Sequence, residues 1–214
     1  MTVRQQWTLV LGVVAVLALA LWTATHFLRD ELFPVTIGSE APDFTARTLG
    51  TPATTKTLDD YRGEVVLLNV WATWCAPCRE EMPSIEALHR RYGPRGLKVV
   101  AVSIDEPGSE DAIRDFARQF GLSFEILHDA SGDIQRIYQT TGVPETFVIG
   151  RDGIIRRKQI GATDWSSPAN RAVIARLLGV PGDTAAIPGG DTARTVPAMA
   201  PASGVGATPA PGAR

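Results

Sequence analysis

Two cysteines, and no others, stand in this chain, as Cys75 and Cys78 in the run Trp74-Cys75-Ala76-Pro77-Cys78. A pair at that spacing can cycle between dithiol and disulfide, each sulfur reacting as its thiolate. The apolar run Val65–Trp71 precedes the pair, and Arg79-Glu80-Glu81-Met82 opens a helical pattern behind it. A strand that hands over to a helix sets the sulfurs beside free N–H groups at the positive end of the helix dipole, which favours thiolate over thiol. As a structural staple the pair is poor: a disulfide closing so short a loop stabilises by about 2 kcal/mol in the chain-entropy account. A dithiol/disulfide redox centre explains the two residues better.

The elements that must position this centre can be read from the flanking sequence. Val65–Trp71 is nearly continuous apolar sequence, as expected of a strand buried on both faces. Arg79 to Tyr92 predicts a helix with Met82, Ile85, Leu88 and Tyr92 on one face, kinked by Pro83 and ended at Gly93-Pro94. A strand over Leu97–Ile104, a helix over Asp111–Phe120 closed by Gly121, a strand over Phe124–Leu127 and a short helix over Asp133–Tyr138 come next. Glu145–Ile149 and Ile154–Ile160 flank Gly150-Arg151-Asp152-Gly153 and predict a hairpin, and Ser166–Leu178 predicts the last helix. Leu49 to Lys56, rich in Thr, Pro and Gly, is expected to be a loop. Strands alternating with helices give an α/β fold: a mixed, largely parallel sheet with an antiparallel hairpin at its edge and helices on both faces.

The two ends of the chain differ from this middle. Gln5 to Leu28 carries no charged residue and as a helix would span about 36 Å, against about 30 Å of bilayer hydrocarbon. Trp7 and Trp22 lie near its ends, and Arg4 before it weakly favours a cytoplasmic N-terminus. Ala18-Leu19-Ala20 resembles a signal-peptidase site, but cleavage there would leave Leu21, Trp22, Phe27 and Leu28 on the new terminus, so an uncleaved anchor is favoured. Under either account the rest of the chain lies outside the cytoplasm. From Pro181 on, 21 of 34 residues are Ala, Pro or Gly, too little apolar surface to offset ordering entropy. The expected organisation is an anchor over residues 1–29, a spacer over 30–37, a redox domain over 38–180 and a disordered tail over 181–214. A net charge of −2 with 21% charged residues offers no basic stripe for nucleic acid.

Taken together, Trp71-Ala72-Thr73-Trp74-Cys75-Ala76-Pro77-Cys78-Arg79-Glu80-Glu81-Met82-Pro83 and Gly142-Val143-Pro144-Glu145-Thr146-Phe147-Val148-Ile149 resemble a thioredoxin-fold protein. More narrowly, the chain resembles the membrane-anchored TlpA/ResA-like thiol–disulfide oxidoreductases, with the cytochrome-c-maturation thioredoxins close by. The resemblance covers about Gly38 to Gly179. It implies a cis Val143-Pro144 bond against the disulfide, used to grip an extended substrate. Thioredoxin has a buried Asp six residues before its first motif cysteine, where this chain has Asn69. An amide cannot exchange a proton as a carboxylate can. In the TlpA/ResA-like group that work falls to a glutamate three residues after the second cysteine, a place held here by Glu81. The competing account of Glu81 is a solvated acid complementing the helix dipole.

The implied chemistry is thiol–disulfide exchange, with Cys75 attacking as the more exposed sulfur and Cys78 resolving the mixed disulfide. Trp74 would wall the site or, alternatively, pack in the core, and Arg79 would lend charge or simply sit in solvent. The redox-active disulfide is the only cofactor expected. Expected partners are proteins with disulfides, apocytochrome c among them, and a membrane electron donor for re-reduction. The expected placement is single-pass in the cell (inner) membrane with the redox domain on the periplasmic side. A zinc site would need four ligands, and besides the cysteines only His26, His89 and His128 are on offer. Ala41-Pro42-Asp43-Phe44 also opens peroxiredoxins, but a peroxidase would want a Thr where Ala72 stands. A non-catalytic assembly or metal-delivery module is the other alternative.

Overall fold

The computed structural model describes residues 2–27 and 34–180. Helix α1 spans Val3–Phe27. Seven strands lie beyond it: β1 Thr45–Thr48, β2 Thr55–Thr57, β3 Val65–Trp71, β4 Leu97–Ser103, β5 Glu125–His128, β6 Glu145–Ile149 and β7 Ile155–Ile160. Helices α2 Ala76–Tyr92, α3 Glu110–Phe120, α4 Asp133–Ile137 and α5 Pro168–Leu178 connect or follow them. The strands form one sheet in the order β2-β1-β5-β4-β3-β6-β7. β3, β4 and β5 run parallel, while β6 and the β6–β7 hairpin are antiparallel.

Every residue of β3 is buried, as its continuous apolar run requires of a strand covered on both faces. Its side chains alternate between two cores. Val65, Leu67 and Trp71 join Met82, Ile85 and Leu88 of α2, Ile113 and Phe116 of α3, and Ile174 and Leu178 of α5. Val66, Leu68 and Val70 join Phe44, Ile134, Tyr138, Phe147 and Ile149 on the other face.

Three departures from the sequence-based expectations have local causes. The Thr-rich Leu49–Lys56 segment is not all loop: β1 and β2 form a hairpin, and β1 extends the sheet antiparallel to β5. Ala46 is the one buried residue of the two strands, so there is little apolar alternation to announce a strand. This second antiparallel element makes the sheet less parallel than alternation of strands and helices suggests. Helix α2 starts at Ala76, not Arg79, because Cys75 is its N-cap and Pro77 fits the first turn, where no intrahelical N–H is needed. Its far end is as expected, the helix running through Pro83 to Tyr92. Of the ends, α1 falls within the 1–29 segment, whereas the 181–214 tail lies outside the described residues.

Candidate active site

The end of β3 delivers the chain to Cys75, which caps α2 with extended backbone (φ −81°, ψ 107°). Its Sγ accepts the backbone N–H of Cys78 at 3.1 Å, one of the free donors of the first turn. Cys75 and Cys78 are joined as a disulfide, S–S 2.02 Å and Cα–Cα 5.3 Å. Cys75 is the more exposed residue of the pair only by a small margin, 4% against 0%.

The Val143-Pro144 peptide is cis, and the Val143 carbonyl oxygen lies 3.5 Å from Cys75 Sγ. Sequence puts 68 residues between these atoms; the pairing of β6 beside β3 closes the gap, with Val70 opposite Glu145. The Pro144 carbonyl accepts the Gly161 N–H at 2.9 Å, tying this loop to the end of β7. Trp74 is 68% exposed, so it is not a core residue; the buried tryptophans are Trp71 and Trp165. Arg79 is not free in solvent either: its guanidinium lies 5.3 and 5.1 Å over the rings of Phe116 and Phe120 of α3.

Glu81 is 2% exposed, which rules out the solvated helix-start acid. Its Oε1 accepts the Asn69 side-chain N–H at 2.8 Å and its Oε2 the Thr163 backbone N–H at 3.4 Å. Burial penalises the carboxylate and pushes its pKa up to about 7, against the lowering effect of the Asn69 and Thr163 hydrogen bonds. Asn69 also donates to Thr146 Oγ1 at 2.9 Å. The amide thus holds the acid in place, and the acid sits near neutrality one turn beyond Cys78 on the same helix. A groove of about 520 Å³ lined by Glu80, Glu81, Ser84, Thr163 and Asp164 opens beside it.

Some residues around this site are not singled out by the sequence as functional. Glu145, fully buried, accepts the Thr141 N–H at 3.2 Å and pairs with Lys158 at 3.0 Å across the β6–β7 hairpin. Asp105 reaches from beyond β4 to Thr73. Thr163 comes from the β7–α5 connection. Asp105 and Thr163 lie at no recognisable spacing from the cysteines and are collected by sheet order, whereas Glu145 directly follows Pro144 in the second motif. Among the described residues no group of three His, Cys, Asp or Glu gathers as metal ligands would.

The AhpC/TSA family profile matches residues 37–158. A thiol-disulfide oxidoreductase ResA of Geobacillus thermodenitrificans is 35% identical over 156 residues, 72% of this chain and 87% of that protein. The thioredoxin-like protein YneN of Bacillus subtilis is 41% identical over 125 residues, 58% of this chain and 71% of that one. Among solved structures, a candidate thiol:disulfide interchange protein DsbE from Chlorobium tepidum superposes with a TM-score of 0.61 at 32% identity, covering 68% of this chain and 99% of that one. With its cysteine pair at a helix start and this cis-proline wall, the chain belongs to the AhpC/TSA family, among its ResA/TlpA-like thioredoxin members.

Proposed function

We propose that the chain is an extracytoplasmic protein disulfide oxidoreductase that reduces substrate disulfides through Cys75 and Cys78. The observation that carries this reading is the Cys75–Cys78 disulfide capping α2 beside the cis Val143-Pro144 carbonyl. The class of chemistry is that of its relatives, thiol–disulfide exchange. In the reduced enzyme the Cys75 thiolate attacks one sulfur of a substrate disulfide, and the other leaves as a thiolate. The Cys78 thiol gives its proton to Glu81 and attacks Cys75 Sγ, releasing the second substrate sulfur. The substrate gains two electrons and the enzyme is left with its disulfide, so a donor of two electrons must restore the dithiol. With the active domain on the outer side of the membrane, those electrons cross from a membrane-embedded donor, because the surroundings are oxidising.

Trp74 and Val143 are the surfaces we assign to the substrate chain, and Pro144 shapes the backbone that meets it. Disulfide-bearing proteins are the client class, with apocytochrome c the first to test. The experiment is to express the Cys78→Ser variant in the native host and identify what is trapped on Cys75. Trapped disulfide-forming proteins, apocytochrome c among them, are expected. Trapping that yields none, with a Cys75→Ser, Cys78→Ser chain that still supports growth, would instead favour a non-catalytic assembly role.

A further inference from the structure

The loop Ala72-Thr73-Trp74 decides where Cys75 begins α2. It is closed at two points. The Cys75 N–H donates to the Ala72 carbonyl at 3.3 Å, and Thr73 is gripped by a side chain from beyond the next strand. Asp105 accepts the Thr73 N–H at 3.0 Å through Oδ2 and at 3.3 Å through Oδ1, and the Thr73 hydroxyl donates to Oδ1 at 2.6 Å. Oδ2 also accepts the Ser103 hydroxyl at 2.6 Å. The Asp105 backbone is itself fixed, its N–H donating to Ser103 Oγ at 3.1 Å and its carbonyl facing His128 Nε2 at 2.9 Å.

Asp105 is 3% exposed, and no cation pairs with its carboxylate among the described residues. A buried carboxylate is costly unless donors fill its oxygens, and here the donors are Thr73 and Ser103. The sheet does not need this contact. β3 and β4 are already paired in register as far as Trp71 and Ser103, and the Ile104 N–H closes the ladder on the Trp71 carbonyl. What Asp105 adds lies past the ladder, at the residue before Trp74 and two before Cys75.

We propose that Asp105 is a positioning residue for exchange. By holding Thr73 it sets where Cys75 Sγ and the Trp74 ring stand relative to the first turn of α2 and the Val143 carbonyl. This rests on the exchange reading above, and the first readout is chosen not to depend on it. In full-length chains carrying Cys78→Ser, the alkylation rate of Cys75 against pH reports its thiol directly. Asp105→Ala is expected to raise the midpoint of that profile and to shift Trp74 emission. In chains with both cysteines it is expected to slow reduction of a protein disulfide about tenfold in kcat/KM, the scale of a sub-ångström misplacement. Asp105→Asn, whose amide oxygen can still accept the Thr73 N–H, should restore most of each effect. Thr73→Val, which keeps the N–H and loses the hydroxyl, should fall between. The proposal is overturned if both Asp105→Ala and Thr73→Val lower the melting temperature while leaving the Cys75 profile and exchange rate as in the parent. It is equally overturned if Asp105→Ala and Asp105→Asn lower the midpoint alike, since the loss of a negative charge, which favours the thiolate, and not placement would then be at work. A parent without exchange activity but with a Cys75 profile that moves in Asp105→Ala would sink the exchange reading and leave the positioning intact.

Discussion

Glu81 shows how one side chain's burial becomes a pH dependence. Its pKa rises from 4.5 to about 7, chiefly because burial disfavours the charged form. The folded chain therefore keeps a proton that the unfolded chain has lost between those values. Stability is full below pH 4.5, falls as pH rises through about 7, and levels off above it. The rise corresponds to a loss of about 3 kcal/mol. Glu81→Gln is expected to match the oxidised parent at pH 4 and to exceed it by up to about 3 kcal/mol at pH 8, measured by denaturant unfolding. Equal differences at both pH values would show that Glu81 does not titrate on its own. If Glu81 receives the Cys78 proton as proposed, the part of the exchange-rate rise near pH 7 that follows its titration should disappear in the same variant, and an unchanged profile would remove Glu81 from that role. Trp74 makes the opposite prediction. Being 68% exposed, it can be replaced by Ala with stability unchanged within about 0.5 kcal/mol. If it meets substrate, KM for a protein disulfide should rise in that variant, and an unchanged KM would remove Trp74 from the binding surface.

At the level of elements, the β6–β7 hairpin carries a charge pair, one partner fully buried and the other partly so, next to the cis-proline loop. Glu145 is fully buried and Lys158 reaches it at 3.0 Å, with the Lys158 ammonium also 5.3 Å from the Phe147 ring centroid. Removing one partner of such a pair strands the other. Lys158→Ala is expected to cost about 3 kcal/mol in urea unfolding, and adding Glu145→Gln should recover most of it. A double variant as unstable as the single one would mean that the lysine acts through packing alone. The elements also differ in how far sequence announced them. β3 was legible because burial on both faces forces seven apolar or pairable residues in a row. The α3 and α5 ends were legible at Gly121 and Gly179, which take the left-handed conformation that closes a helix (φ 61° and 70°). The β1–β2 hairpin was not, since its strands pair with each other and, through β1 alone, with β5, and bury almost no side chain.

For the whole molecule, α1 is long and apolar enough to cross a membrane, with mean hydropathy 2.2 in an 18-residue window within Val3–Thr25. The full chain is expected to sediment with membranes and to resist an alkaline wash. Replacing Leu11, Val14 and Leu17 together by Arg should release it, each charge costing about 3 kcal/mol at mid-bilayer. If the redox domain lies outside the cytoplasm, a membrane-impermeant maleimide will label reduced Cys75 in intact cells. Labelling only after lysis would place that domain on the inner side and sink the proposed electron route.

The sequence by itself determined the reacting pair, the strand before it, the helix behind it and the apolar N-terminal segment, because each is written in contiguous residues whose spacing matches one period or one reaction. It could also nominate Val143, Pro144 and Glu81, though only through the resemblance to a family. Tertiary structure alone decided that Glu81 is buried against Asn69, that Trp74 faces solvent, that Asp105 and Thr163 stand around the site, and that Glu145 is buried with Lys158 as its partner. The reason is physical: burial and hydrogen-bond partners depend on which strands the sheet brings side by side, and pairs such as Thr73 with Asp105 or Asn69 with Thr146 are separated by 32 and 77 residues with no period linking them.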